Sequence, residues 1–456
     1  MDGQDHADQP ARKRPRRASP PTEVPLPARP ASPPHQQTAA SPIFSLPIHH
    51  PSHYTPPGSH PTAFQLPLHL TSFSYSPTRD LLVGKRKDEA IAHYSEPPLG
   101  ADLNLGYQDC TWREDTTDEG LDALLDTLAE YEQEDESGAA AELLGKVNVI
   151  TWRGMMTKLM LAVYEVEGAS QGRADGWELN AMMIDGTLYL EDSKPPSKIA
   201  KKAASESSYK LQSYYGYSFE AFSTVPPTNP TTPPSFSPPN TNVQWCSVVK
   251  TNLGGFRSIL GGEVDCVMPG AQMGNVKTSD FVELKTNIVI SSPRDEMMFE
   301  RQKLLKHYVQ SFLLGVPRVI VGFRTRQGQL TALQPFKTLE IPRLVRGKPH
   351  AWDPLACLAS ARTLLSFITH TISSCPPNQS HQSLFDSPTS ATSDIKDWPV
   401  FRIEFTPTGN EPGLKIRELG REEVQEEVLG AKKAEERVGF LLERWVERVR
   451  TRRGTK

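Results

Sequence analysis

At 456 residues and a net charge of −4 at pH 7, the chain can form one large domain or two ordinary ones, and it carries no global basic field for broad nonspecific nucleic-acid binding. Its five cysteines, Cys110, Cys246, Cys266, Cys357 and Cys375, are odd in number and form no CxxC or Cys/His zinc pattern; they read as reduced thiols of an intracellular protein. No apolar run reaches the ~18 residues of a membrane span and no signal peptide opens the chain, so no membrane partner is expected.

In chain order, residues 1–60 read as an unstructured tail. Residues 1–80 hold 17 of the 41 prolines, and such a composition buries too little apolar surface to offset the entropy of ordering. Within the tail, Arg12-Lys13-Arg14-Pro15-Arg16-Arg17 resembles a nuclear localisation signal, which predicts a nuclear protein. Order is expected from Pro61, as a single large domain over 61–450. Helical spacing marks Asp118–Glu132 and the stretch after Thr151. Trp177–Glu191 alternates about Asp185-Gly186, a two-residue hairpin turn. Insertions at 192–207, 226–240 and 374–394 read as flexible surface loops. Strands are expected at Asn242–Val249, around Glu263 and Glu283, at Arg318–Phe323 and at Trp398–Phe405. Helices are expected at Met297–Leu314, Leu355–Ile372 and Glu422–Arg450, the last with an apolar stripe through Val438, Leu441, Leu442, Trp445 and Val449. A short basic tail, 451–456, closes the chain.

Two carboxylate triplets carry the chemistry: Glu263-Val264-Asp265, then Glu283-Leu284-Lys285, with 17 residues between them. Residues i and i+2 of a strand share a face. Two adjacent strands would therefore gather three carboxylates and one ammonium on one surface. Clustered carboxylates repel unless cations sit between them, and hard oxygen ligands suit Mg²⁺ or Mn²⁺. An acid followed after about 17 residues by Glu-x-Lys resembles the PD-(D/E)xK nuclease core. The histidines, including His307 and His350, read as structural. Gly254-Gly255 and Gly261-Gly262 read as turns leading into the Glu263 strand.

Five short segments also occur in the order found in the DXO/Rai family of RNA 5′-end decapping enzymes. They are Thr151-Trp152-Arg153-Gly154, Gly216-Tyr217-Ser218-Phe219-Glu220, Gly262-Glu263-Val264-Asp265, Val282-Glu283-Leu284-Lys285 and Lys303-Leu304-Leu305-Lys306-His307-Tyr308-Val309-Gln310. The resemblance covers roughly residues 61–450 and is nearest the fungal Rai branch. It implies a mixed α+β fold, a two-sheet core resembling PD-(D/E)xK nucleases with flanking helices. It implies Glu220, Glu263, Asp265, Glu283 and the main-chain carbonyl of Leu284 as ligands of two divalent cations, Mg²⁺ or Mn²⁺. Lys285 and Gln310 would act at the phosphate or the nucleophile beside Glu263 and Asp265, Arg153 would fork onto a phosphate, and Glu165 would help to position substrate. The implied activity removes pyrophosphate from 5′-triphosphate RNA, and removes unmethylated or NAD caps, leaving 5′-monophosphate RNA. The alternatives are a stabilising partner of a nuclear 5′→3′ exoribonuclease of the Xrn/Rat type and, from the core pattern alone, a DNA nuclease of restriction-enzyme type.

Overall fold

Two sheets carry the fold, and the chain passes from one to the other immediately after Glu263. The computed structural model describes residues 41–114, 118–169, 176–205, 210–226, 236–375, 398–430 and 432–454. The basic segment 12–17, positions 227–235 and positions 376–397 lie outside the described residues. The strands are β1 (Phe44–Pro47), β2 (Phe64–Tyr75), β3 (Leu81–Leu82), β4 (His93–Tyr94), β5 (Val149–Trp152), β6 (Trp177–Ile184), β7 (Thr187–Asp192), β8 (Thr224–Val225), β9 (Gln244–Leu253), β10 (Phe256–Glu263), β11 (Cys266–Val267), β12 (Phe281–Ile288), β13 (Arg318–Arg324), β14 (Leu330–Lys337), β15 (Phe401–Thr406) and β16 (Gly413–Glu418). The larger sheet has ten strands in the order β1-β16-β15-β6-β7-β5-β10-β9-β2-β3; the smaller has six, β14-β13-β12-β11-β4-β8.

Strand alternation assigns the faces of the large sheet. Val149, Leu188 and Leu260 point into one apolar core, while Ile150, Tyr189 and Ile259 point into another. The first core is closed by helices α2 (Arg153–Ala169), α4 (Leu305–Leu314) and α5 (Pro354–Ser374), through Leu159, Leu313 and Leu365. The second is closed by α1 (Asp122–Glu134) and α6 (Glu443–Gly454), through Leu124, Leu128, Trp445 and Val449. Each such fully buried side chain contributes roughly 1.5–3 kcal/mol. Helix α3 (Lys210–Phe222) packs Tyr215 and Phe219 on the smaller sheet, against a core that includes Val282 and Leu284. By length and composition α5 is apolar enough to cross a membrane, yet it is packed into the first core, with Leu364, Leu365, Ile368 and Ile372 fully buried.

Several sequence expectations need correction. The tail does not extend to residue 60: β1 pairs with β16, Phe44 opposite Ile416, and Ile48 is buried. A four-residue edge strand is too short to announce itself by periodicity. Segment 192–207 is not an open loop, since Pro196–Ser205 is helical; proline favours the first turn and alanine the interior. The helix expected over 422–450 is broken. Gly430 (φ 53°) and Gly439 (φ 54°) adopt left-handed backbone, a small hairpin pairs Arg437–Val438 with Leu441–Leu442, and α6 begins only at Glu443. A Cβ on Gly439 would lie 2.4 Å from Met182 Sδ. The apolar stripe nevertheless docks whole, for Val438, Leu441, Leu442, Trp445 and Val449 are all buried. The basic tail is also shorter than 451–456: α6 runs to Gly454, and Arg452 forks onto Glu132, one arm at 2.8 Å. The helix expected over 297–314 contains a π segment, Phe299–Leu304, where the carbonyl of Glu300 accepts the Trp352 indole N–H at 3.0 Å.

Candidate active site

Gly261 and Gly262 lie within β10 rather than in a turn. A Cβ on Gly261 would meet the Trp152 ring at 2.9 Å, and one on Gly262 would meet Leu314 at 2.7 Å and the Cβ of Arg153 at 3.1 Å. The missing side chains let the start of α2 and the end of α4 close on the strand, beside Glu263. After Glu263 the chain leaves the large sheet through Val264-Asp265 and enters the small one at Cys266, opposite Val282 of β12. The Glu263/Asp265 triplet is therefore not one regular strand, and β10 and β12 are not neighbours. Asp265 is drawn to β12 by a hydrogen bond, the Leu284 N–H donating to its Oδ2 at 2.6 Å.

On β12 the expected alternation holds: Leu284 points into the apolar core while Glu283 and Lys285 point together to the seam. The Lys285 ammonium lies 2.7 Å from Glu283 Oε1, 2.9 Å from the Leu284 carbonyl and 3.4 Å from Asp265 Oδ2. These are three of the five expected ligand groups, converging on one point. Arg153, the first residue of α2, reaches Glu283 Oε2 at 3.2 Å. Glu220 arrives on α3, a helix seated where the Phe219 ring fills the space that Gly322 of β13 leaves open. Its carboxylate feels Asp265, Glu263, Lys285 and Glu283. Lys285 and Arg153 keep 25% and 16% of their side chains exposed, so the seam opens to solvent.

Four carboxylates thus share two cationic side chains, and the charge states follow. Burial, with repulsion from Asp265 and Glu263, holds Glu220 well above the usual carboxylate range. Burial pushes Asp265 up to about 7, Lys285 opposing and Glu283 and Glu263 adding. Glu263 is raised by burial, against the pull of Arg153 and a hydrogen bond from Gln244. Burial would raise Glu283 too, but Lys285 and Arg153 outweigh it and bring it to about 2. Lys285 is raised despite burial because Asp265 and Glu283 flank it. In the metal-free site its proton is thus held more firmly than that of an ordinary lysine.

Among the described residues no three His, Cys, Asp or Glu side chains already stand in a metal-ligating arrangement; the ammonium of Lys285 occupies the point where the oxygens converge. The donor set is all oxygen, four carboxylates and the Leu284 carbonyl, in excess over its counter-charges. That fits hard divalent cations.

Two expected residues are less engaged. Gln310 lies half-buried on α4 and hydrogen-bonds none of the cluster among the described residues. The structure does not bring Glu165 to the site. It lies twelve residues along α2 from Arg153, about 18 Å at the helical rise, and accepts the Trp177 indole N–H at 3.4 Å. Sequence reading missed Gln244, which donates to Glu263 Oε2 at 2.9 Å. Gln244 forms part of no recognisable spacing. His307 of α4, read as structural, is buried with no hydrogen-bond partner for either ring nitrogen among the described residues; burial and the field of Lys285 lower it to about 3.

A RAI1 like PD-(D/E)XK nuclease domain matches residues 65–443. A decapping nuclease RAI1 of Mycosarcoma maydis is 34% identical over 469 aligned residues, covering 88% of this chain and 90% of its own. A decapping nuclease RAI1 of Cryptococcus neoformans is 38% identical over 68% of this chain and 77% of its own. The mouse decapping and exoribonuclease protein is 35% identical over 75% of this chain and 84% of its own. Among solved structures, S. pombe Rai1 superposes with a TM-score of 0.60 at 27% identity, over 83% of this chain and all of that one. Candida albicans Rai1, solved with pU5 and Mn²⁺, gives a TM-score of 0.67 at 22% identity, over 90% of this chain and 99% of its own, a likeness of fold. The two-sheet α+β architecture is thus that of the Rai1 structures, and the chain belongs to the RAI1-like PD-(D/E)XK nuclease family.

Proposed function

We propose that the chain is a hydrolase of RNA 5′ ends, dependent on Mg²⁺ or Mn²⁺, which releases pyrophosphate from 5′-triphosphate RNA and removes unmethylated or NAD caps to leave 5′-monophosphate RNA. The observation that carries this reading is the convergence of Asp265, Glu283 and the Leu284 carbonyl on one point, with Glu263 and Glu220 beside it. Glu220, Glu263, Asp265, Glu283 and that carbonyl would hold two cations. When bound, these supply Lewis-acid polarisation of the phosphate and lower the pKa of an attacking water. The remaining work falls to the side chains. Lys285, held protonated, offers its N–H groups and charge to phosphate oxygens. Arg153 spends one arm on Glu283 and has further guanidinium donors for a phosphate. Gln310, neutral and on the adjacent helix, is assigned to hydrogen-bonding the substrate phosphate or the nucleophile.

Relatives that are decapping nucleases support RNA 5′ ends as substrate and weigh against the restriction-type DNA nuclease. Import into the nucleus through residues 12–17, and a stabilising contact with a nuclear 5′→3′ exoribonuclease of the Xrn/Rat type, complete the proposal and rest on the sequence resemblance. The test compares wild type with Glu263→Ala/Asp265→Ala, with Mg²⁺ or Mn²⁺, on RNAs bearing a 5′-triphosphate, an unmethylated cap or a 5′-monophosphate. Release of pyrophosphate or of the cap by wild type alone is expected. Equal inertness of both proteins would leave the exonuclease-partner reading in its place.

A further inference from the structure

We propose that Gln244, oriented by Arg79 and Glu119, is a positioning residue that fixes the Glu263 carboxylate for cation binding; this rests on Glu263 being a cation ligand. Cys246 of β9 faces Glu263 of β10 across an antiparallel pair, and Gln244 stands two residues before Cys246. It therefore shares the face of Glu263 and lies diagonal to it. The Gln244 amide donates through Nε2 to Glu263 Oε2 at 2.9 Å.

A carboxamide has a donor end and an acceptor end, so whatever claims one end decides which faces the carboxylate. Here Oε1 of Gln244 accepts from Arg79 Nη1 at 2.6 Å and from Arg113 Nη1 at 3.4 Å. A guanidinium can only donate, so the NH₂ end is left to meet Glu263. Arg79 is itself held on every side. Its Nε and Nη2 fork onto Glu119 at 2.8 Å each, its Nη1 also donates to the Asn242 carbonyl at 2.9 Å, and its Cζ lies 3.5 Å from the centroid of the Tyr75 ring. Arg79 adopts φ 72°, in the turn between β2 and β3. Non-glycine residues seldom take this left-handed conformation, and it persists where surrounding contacts over-determine it.

The choice of a neutral donor has a consequence. Glu283 has its oxygens engaged by two cations, Lys285 and Arg153. Glu263 has one oxygen engaged by an uncharged amide, which restrains the carboxylate without cancelling its charge. A ligand already oriented loses less freedom on binding, and outer partners of this kind are worth about 10–100-fold in metal affinity or activity. Arg79, Glu119 and Gln244 all lie outside the five sequence segments that carry the family resemblance.

The test titrates Mn²⁺ alone, by calorimetry, into full-length wild type, Gln244→Leu, Arg79→Ala and the double variant, each checked for folding by thermal melting. We expect Mn²⁺ binding about tenfold weaker in both single variants. The double variant should be no weaker than Gln244→Leu, because Arg79 acts through the amide. Arg79→Lys, which keeps the charge and loses the fork, should weaken binding in the same direction and serves if Arg79→Ala does not fold. A folded Gln244→Leu with wild-type affinity, or losses that add in the double variant, would overturn the inference while leaving Glu263 as a ligand. Wild type failing to bind Mn²⁺ would instead remove the cation-ligand reading itself.

Discussion

Two polar regions of this protein are built from the same residue types and behave in opposite ways. Where α1 meets the C-terminal segment, acids and cations pair off. Lys432 takes Asp118 at 2.7 Å, Arg437 takes Asp122 with one arm at 3.0 Å, Arg444 takes Asp126 at 2.7 Å and Arg452 takes Glu132. At the seam between the sheets, four carboxylates share Lys285 and Arg153. Asp118 also meets Lys194 at 3.5 Å and Glu132 also meets Arg448 at 3.7 Å, so each of these four acids has at least one cation of its own; that leaves little charge to attract anything further and reads as docking of α6. Shared pairing leaves carboxylates that repel one another unless protons or added cations intervene. The deficit of counter-charge, rather than the number of acids, distinguishes the proposed cation site from the structural one.

The comparison breaks most visibly if the acids are removed at the seam. Glu263→Ala/Asp265→Ala should reduce 5′-end hydrolysis to background while the melting temperature of the metal-free protein changes little, since relieved repulsion offsets the lost hydrogen bonds from the Leu284 N–H and Gln244; a large fall in melting temperature would show the acids to be structural. Next in size, Lys285→Met should lower turnover by about 10²–10³-fold, the loss typical of a preorganised donor at developing charge, measured as pyrophosphate release at saturating Mn²⁺. On the docking side, Arg437→Met should destabilise the fold by about 1–3 kcal/mol in denaturant titrations, because the Asp122 carboxylate and the Phe440 carbonyl lose a largely buried donor. Its hydrolytic rate at low denaturant should not change. Arg444→Ala, at an exposed pair, should cost less than about 1 kcal/mol.

Titration sharpens the same contrast. Glu220 is held well above the ordinary carboxylate range and Asp265 near 7. Between the unfolded value of about 4 and about 7 these two carboxyls hold more protons in the folded state than in the unfolded one and contribute a fall in stability as pH rises. Burial also lifts Glu191 to about 7, with Lys432 opposing, so it contributes in the same direction. His307, lowered to about 3, and His69, lowered to about 4, contribute a rise over the same window. Added Mn²⁺ should restore stability increasingly toward pH 7 in wild type, because it competes with protons for the seam carboxylates. In Glu263→Ala/Asp265→Ala the part of the slope due to Asp265 should be lost, and the response to Mn²⁺ should fall with it. A wild-type slope indifferent to Mn²⁺ would mean that the ion does not compete with protons for the seam carboxylates.

Much of this was legible in the residues themselves. The helix ahead of Glu132, the Asp185-Gly186 turn and the shared face of Glu283 and Lys285 all follow from local periodicity and turn chemistry. The glycines at 430 and 439 escaped because the apolar stripe continued across them, and stripes record burial better than they record the path of the backbone. Glu165, implied by the resemblance alone, lies twelve residues of helical rise from Arg153. Local spacing along the chain determined which acids and which lysine could act and that the fold mixes sheets with helices, since side-chain periodicity is a property of a few neighbouring residues. Tertiary structure alone decided that Glu263 and Asp265 straddle a crossing between sheets, that Glu220 arrives on a helix, and that Gln244 and Arg79 stand behind Glu263. Those meetings join residues tens to nearly two hundred positions apart, brought together by the burial of separate apolar faces, which no local pattern records.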